Sequence, residues 1–526
     1  MARPQLPIRE KVARALAELH AVLGDARNVV RGAELKVASR TVLRDAGWLR
    51  EIIKGWYFVC DPAAEDGDTT LFFANFWEYL GSYLVGRFGD DYCLSAEDSL
   101  GRHARANVVP RQVGVLLKVR QSQIQPLAHG YSLAMYPSQA FPSGFNTTML
   151  EGLRVMALPY CLVQLGPAAY RNCQSDVEVV LRTLPDASDI ARLIDINATG
   201  VARVVAALRQ IERHDLAGGI ETILSGMRVS LPKVPNPFEQ PTIRLASRLL
   251  SPLHARVGML WARYRADVLA EKVTVPASFS VAGYLTQVEA VRVEDTYHSL
   301  SIERYRVTPE LIQRVADSVW DAEIEKNNRD ALAAKGYLDA FGQVAQDAGR
   351  AFERRSAADA AGLFADRHHA WFQALFGVSV DVGLLKASDL AGYRRHMVFL
   401  RGSLHSPPHF DYVRDGMQAL LACLAEEPDS FVQAVLGHWL FGYVHPYMDG
   451  NGRMARFLMN VMLAGGGYPW TVIRLEDRTA YMAALEQASV ASDIGPFARF
   501  VAASLRRDQK RREDKSPLTP ERINPP

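Results

Sequence analysis

Four prolines fall within the eleven residues Leu231–Pro241, LPKVPNPFEQP. That density forbids a helix or a central strand across the stretch. A chain of 526 residues is also too long for one hydrophobic core. The prolines therefore read as a linker, 233–242, between two very different halves. The predicted division is 1–90, 91–232, the linker, a helical domain over 243–505, and a charged, proline-rich tail over 506–526 without regular structure.

Hydrophobic residues make up 48% of the chain and charged residues 22%, the balance of an ordinary globular protein. Lys plus Arg (60) nearly equals Asp plus Glu (58), so global charge names no partner. No run of 18 apolar residues is present, which excludes a membrane helix. The N-terminus, MARPQLPIREKVARAL, has neither the apolar core nor the cleavage site of a secretory signal. Cys60, Cys93, Cys161, Cys173 and Cys423 are scattered, with no C-x-x-C pair. The expectation is a cytoplasmic protein with reduced thiols and no zinc cluster.

Residues 1–60 carry eleven basic side chains against six acidic ones. A helix is predicted over 8–23, with Ile8, Val12, Leu16, Leu19 and Leu23 on one face. A second, around Ala38–Ala46, should stop at Gly47. The alternating run Trp48–Val59 then predicts a β-hairpin turning near Lys54–Gly55. Helix, turn, helix and hairpin is the order of a winged helix. The segment LKVASRTVLRDAGWLREIIKGWYFV resembles the N-terminal domain of the abortive-infection antitoxin family (AbiEi-like). That resemblance implies DNA contact through residues 1–60, a helix in the major groove and the wing on phosphates; protein contact is the alternative. Residues 91–232 faintly echo the same family and read as a small α/β or α+β scaffold without a catalytic cluster.

Beyond the prolines, helices are predicted over 243–272, 309–325, 329–355, 357–376, 411–425, 429–443, 453–464 and 477–504. The fold class is therefore mainly α and multidomain. Between the helices at 429–443 and 453–464 lies His445-Pro446-Tyr447-Met448-Asp449-Gly450-Asn451-Gly452-Arg453-Met454-Ala455-Arg456. It has the parts of a phosphate site. Glycines admit close approach to an anion, and the first N–H groups of the next helix point at it. Arg453 and Arg456 are three apart and reach the same side. Asp449 offers the single carboxylate with which Mg²⁺ is commonly shared with phosphates. His445 is the nearby group that titrates near neutrality.

This dodecapeptide resembles the signature of the Fic family (filamentation induced by cAMP), and every specified position matches. DALAAKGYLDAF and LAGYRRHMVFLRGSLHSPPHFDYV upstream, and RTAYMAALEQAS downstream, look like further Fic segments, so that the likeness covers roughly 280–505. The resemblance implies an all-α core with a β-hairpin flap and transfer of AMP from ATP, with Mg²⁺, to a Ser, Thr or Tyr hydroxyl. In that reading His445 takes the hydroxyl proton and Asp449 holds the metal. Gly450, Asn451 and Gly452 cradle the anion, with the Asn451 side chain stabilising the transition state. Arg453 and Arg456 bind the β- and γ-phosphates, and Tyr481 lies on the helix closing the nucleotide pocket. Met448 is expected to be packing. Kinase relatives have lysine at the position of Gly452, which favours AMP transfer here; UMP as the transferred group stays open. The flap, 396–410, alternates Met397, Phe399 and Arg401 with Val398, Leu400 and Gly402, and its edge would receive the target.

About 140 residues upstream, Ser299 and Glu303 match the family's inhibitory motif, while Arg304 departs from its Gly or Asn. The resemblance implies that Glu303 occupies Arg456 and restrains the enzyme. Two alternatives stand beside this one: a nucleotide-sensing DNA-binding regulator or antitoxin-like protein, and removal of AMP with Glu303 orienting water. Homo-oligomerisation is left open by the sequence.

Overall fold

The structure, a computed structural model, describes residues 7–23, 28–60, 62, 70–119, 122–142, 144–243, 251–275, 280–317 and 328–513. The chain divides into two compact units, Met1–Arg256 with His396–Pro407, and Val257–Arg395 with Pro408–Pro526. The division thus falls at Arg256, inside a helix, rather than at the prolines.

In the first unit, α1 (Ile8–Leu23) buries Ala15, Leu19 and Leu23 at every fourth position, while Ile8, expected on that face, is exposed. A short strand, β1 (Val29–Arg31), precedes α2 (Val37–Asp45), and Gly47 follows with φ +80°. The hairpin of β2 (Leu49–Ile53) and β3 (Trp56–Val59) turns through Lys54 and Gly55, the latter at φ +84°. The sheet order is β1-β3-β2, all antiparallel. β1 escaped the sequence reading because three residues are too few to show alternation.

Next come α3 (Thr70–Phe88), β4 (Tyr92–Leu94), α4 (Ala96–His103), β5 (Gln112–Leu117), β6 (Gln123–Pro126) and β7 (Ser132–Pro137). They build a four-stranded sheet of order β4-β5-β7-β6 in which only β5 and β7 are parallel. A separate hairpin joins β8 (Thr147–Leu150) to β9 (Leu153–Met156). One core runs from Val29 and Phe58 through Phe76, Tyr79 and Leu80 to Val115, Leu133 and Val155. It crosses the boundary expected at residue 90, so these two segments fold around common apolar residues. Short helices follow: α5 (Leu158–Gln164), α6 (Pro167–Asn172), α7 (Gln174–Thr183), α8 (Ser188–Ala191), α9 (Ala198–Gln210) and α10 (His214–Gly226).

The proline segment is irregular, as expected, but it is bound. Gln174 Oε1 accepts from the main-chain N–H groups of Glu239 and Gln240, and its Nε2 donates to Gln240 O. The flap expectation fails in one respect. No residue of 396–410 pairs as a strand; the chain turns at Arg401–Gly402 and ends in a 3-10 turn from Phe410. Main-chain donors are spent elsewhere, Ser403 on Leu400 O and Ser406 on Asn107 O.

Among its described residues the second unit has helices and irregular connections and no strand. It contains α11 (Pro252–Ala270) from residue 257 onward, α12 (Val281–Ala290), α13 (Arg292–Ile302), α14 (Pro309–Ala316), α15 (Arg329–Arg354), α16 (Ala357–Asp381), α17 (Val413–Glu426), α18 (Ser430–Val444), α19 (Asn451–Gly465), α20 (Arg478–Val490) and α21 (Gly495–Glu513). The single helix expected over 477–504 is two, and α21 runs into the segment expected to be an unstructured tail. Residues 244–250 and 318–325, expected to be helical, and the tail 514–526 lie outside the described residues, as do 1–6. Helices α18 and α19 are apolar on nearly every side and almost wholly buried, which places the loop between them at the core. Among the described residues no helix is long and apolar enough to cross a membrane.

Candidate active site

Asp429 starts α18 by accepting the N–H groups of Phe431 and Val432 on its carboxylate. The helix ends at His445, which has φ 51° and ψ 62°, a left-handed conformation that disfavours a residue with a Cβ. Its Nδ1 lies 3.2 Å from Gly442 O. A carbonyl only accepts, so Nδ1 carries the proton and Nε2 is the basic nitrogen. Arg394, which the sequence reading did not single out, donates from Nε to His445 O at 2.8 Å and from its main-chain N to Pro446 O at 2.9 Å.

Tyr447 anchors the loop. Its ring stacks on Phe372 with centroids 3.7 Å apart, and its hydroxyl meets His369 Nδ1 at 3.0 Å. Asn451 closes the loop: Oδ1 accepts from Tyr447 N at 2.9 Å and Nδ2 donates to Tyr447 O at 2.8 Å. The Asn451 amide thus braces the loop through Oδ1 and one of its two Nδ2 protons. Met448, expected to pack, is 51% exposed at the tip of the loop. Asp449 is half exposed; its Oδ1 accepts from Gly450 N at 2.7 Å. Gly450 takes φ +78° at the cap of α19, and a Cβ there would press 3.0 Å from the Phe376 ring.

Arg453 and Arg456 stand at the head of α19, both buried. Glu303 lies between them, with Oε2 at 2.9 Å from Arg453 Nε and Oε1 at 2.9 Å from Arg456 Nη2. The resemblance implied only the Arg456 pair; the carboxylate holds both. Burial is the largest influence and works against both cations, but Glu303, together with Tyr305, Asp449 and Tyr337 at Arg453 and with Tyr481 and Tyr337 at Arg456, holds the two guanidiniums above their ordinary pKa. The contact with Arg453 is a close ion pair without hydrogen-bond alignment: its Nε and Nη2 are buried and have no hydrogen-bond partner among the described residues. The guanidinium packs instead over Tyr305 and Phe376, 5.4 and 5.0 Å from their centroids.

Glu303 is the C-cap of α13, and Arg304 follows at φ +69°. Tyr305 N donates to Leu300 O and Arg304 N to Ser301 O, the paired bonds of a Schellman motif. This explains why Gly or Asn suits that position and why Arg304 is strained there. One turn back, Ser299 is buried, with Oγ accepting from Arg456 Nε at 2.9 Å and its carbonyl from Arg456 Nη2 at 3.0 Å.

Behind Ser299 the polar chain continues. Tyr337 Oη lies 2.9 Å from Ser299 Oγ and 2.8 Å from Asp295 Oδ2. A guanidinium only donates and a phenol has one proton, so with Asp295 ionised the order is Arg456 to Ser299 to Tyr337 to Asp295. Burial raises the Asp295 carboxyl to about 6, against the pull of the Tyr337 hydrogen bond and Arg456. Asp295 precedes Ser299 by four on α13, and that spacing was the available signal for it. Tyr481 is buried beside Arg456 and braced by His438, whose Nε2 lies 2.8 Å from the phenol oxygen. Burial, aided by Arg456, pulls His438 down to about 3, so this imidazole is neutral.

Residues 365–463 match the model of the Fic/DOC family. A protein adenylyltransferase Fic from Nematostella vectensis is 40% identical over 119 residues, 22% of this chain and 27% of that protein. The protein of the same name from Drosophila melanogaster is 37% identical over 114 residues, 21% of this chain and 23% of the relative. The chain thus matches about a quarter of the length of these curated relatives. Among solved structures, a Fic-domain-containing signalling protein from Bacteroides thetaiotaomicron is 17% identical, covering 48% of this chain and 95% of that one at a TM-score of 0.34, too low to bear on the fold. With every specified residue of the signature lying between His445 at the end of α18 and Arg456 in α19, residues 365–463 carry a Fic domain.

Proposed function

We propose that this chain transfers AMP from ATP to a hydroxyl of a protein, in the cytoplasm, and is held in check by Glu303. The observation that carries the reading is the pair of buried guanidiniums at the head of α19, bound by a carboxylate where a polyphosphate would fit. Arg453 would take the β-phosphate and Arg456 the γ-phosphate, with main-chain N–H groups of Gly450–Gly452 around the α-phosphate. His445 Nε2 accepts the proton of the incoming hydroxyl. The hydroxyl oxygen bonds to the α-phosphorus while the bond to pyrophosphate breaks, and pyrophosphate leaves. The target is proposed to dock along 396–410 through an irregular segment rather than a strand edge.

Asp449 is the group that would hold Mg²⁺. Its half-exposed carboxylate suits an ion that keeps several waters and shares phosphate oxygens, and among the described residues no cluster of three acidic, His or Cys ligands competes for it. The ion supplies charge neutralisation on the phosphates.

The test is incubation with α-labelled ATP and Mg²⁺, alone and with host lysate, followed by mass analysis of the labelled proteins. His445→Ala should abolish transfer and leave ATP affinity nearly unchanged, because the phosphate contacts lie elsewhere. Near-normal transfer by that variant would overturn the assignment of the base.

A second reading concerns residues 1–60. The sheet order β1-β3-β2 behind α2 supports a winged helix, and we propose that it contacts duplex DNA.

A further inference from the structure

We infer that Arg394 is a positioning residue that ties the base of the target-docking segment to the catalytic imidazole, so that docking and base placement are one mechanical event. The inference rests on the proposed transfer of AMP. Arg394 is 5% exposed, and burial draws its pKa down only to about 10, so the guanidinium stays charged at neutral pH. Three of its donors go to main-chain carbonyls. Nε holds His445 O, Nη2 holds Pro408 O, and its own N–H holds Pro446 O. Arg394 stands two residues before the segment 396–410 proposed to receive the target, and Pro408 lies two residues from its far end. The guanidinium just before the segment thus joins its far end, at Pro408, to the catalytic histidine.

The grip matters because His445 is in a conformation it would not adopt freely. Its N–H donates to Phe441 O, its Nδ1 faces Gly442 O, and its carbonyl is fixed by Arg394. The first two bonds come from its own helix end. Arg394 supplies a restraint from outside α18, and displacement of residue 408 would act on it directly. Lysine cannot substitute, because an ammonium lacks the planar fork that reaches two diverging carbonyls. Arg394 touches no reacting atom in this scheme; it acts through His445.

The experiment uses the full chain carrying Glu303→Gly, to which Arg394→Ala or Arg394→Lys is added. Misplacing a catalytic group by about 1 Å costs on the order of a hundredfold, so both variants should lose roughly tenfold to a hundredfold in kcat. Affinity for a fluorescent ATP analogue should stay within about twofold. Added guanidinium at millimolar concentration should restore part of the Arg394→Ala activity and none of the Arg394→Lys activity. Arg394→Ala added to His445→Ala should cost nothing further. A second readout needs no turnover: ¹⁵N-imidazole NMR should show one tautomer of His445 in the parent and averaging in Arg394→Ala. Full transfer by Arg394→Lys, or an unaltered His445 tautomer in Arg394→Ala, overturns the inference. If the Glu303→Gly parent itself labels nothing, the functional reading fails, and the NMR result still decides the role of Arg394.

Discussion

The carboxylate of Glu303 occupies the space that a side chain at Gly452 would need: a Cβ there would lie 2.7 Å from Glu303 Oε1. A glycine in the first turn of α19 and the acid that approaches it are thus parts of one seat. Glu303 is an intramolecular anion at the proposed phosphate site, and its release should be measurable. A charge-assisted pair contributes roughly 1.5–3 kcal/mol, so Glu303→Gly should raise labelling about tenfold to a hundredfold. The gain should vanish when Arg456→Ala is added, since one of the two freed cations is then gone. Equal labelling by parent and Glu303→Gly across ATP concentrations would reject the brake.

Arg304 bears the cost of the turn that seats Glu303. At φ +69° a side chain costs about 1–2 kcal/mol that glycine does not. Arg304→Gly should therefore raise the melting temperature by a few degrees and lower basal labelling severalfold, because the brake closes at less cost. Increased labelling in Arg304→Gly would show that the arginine strengthens the seat rather than straining it.

Asp295 gives the buried network a pH dependence of definite sign. Its folded pKa of about 6 lies above the ordinary 3.8, so the folded state binds the proton more tightly. That contribution favours folding below about pH 4 and is lost as pH rises through about 6. In Asp295→Asn, where Tyr337 can still donate to the amide oxygen, this slope should disappear. Between pH 4.5 and 7 the variant should gain roughly 1–3 kcal/mol on the parent in urea titrations. Identical pH slopes in the two proteins would show that Asp295 does not titrate there.

For residues 1–60 the expected outcome is duplex DNA binding by the full chain that falls steeply with salt. Lys36 and Arg44 are exposed on and beside α2, whereas Arg40 spends a donor on Gly32 O. Lys36→Ala and Arg44→Ala should each reduce the salt slope by about one and weaken all sequences alike. Absence of any gel shift at low salt would assign this face to protein contact.

Local signals made much of this legible. The 3.6-residue rhythm placed α1, α15, α16 and α18 to within a few residues, and Gly47 and Gly55 marked turns that they indeed form. The dodecapeptide located the site because its residues lie side by side in sequence. What escaped depends on distant partners. Arg394 is fifty-one residues from His445, and nothing in YRRH distinguishes a buried arginine from its exposed neighbour Arg395. Tyr337 stands among alanines on a core helix, where a tyrosine reads as packing. The flap failed for a related reason: alternation along 397–402 says that a strand is allowed, and only a partner strand makes one. The motif likewise does not say that Asn451 closes the loop by bonding both main-chain groups of Tyr447.

The proline stretch has a consequence for anyone who would cut the protein there. Buried Gln174 holds both N–H groups of Glu239–Gln240 and the Gln240 carbonyl, Glu178 receives Ile243 N–H, and Thr242 donates to Gln210 O. A fragment ending before residue 239 would leave Gln174 and Glu178 stripped of main-chain partners in an apolar interior, a desolvation cost of roughly 1–3 kcal/mol for each unmet group. A fragment beginning at 243 would carry away residues whose anchors stay behind. Protease sensitivity usually tracks proline-rich connectors, but here residues 239–243 are pinned through their main chain and side chains, and the first unit keeps its own C-terminal strap through residue 243.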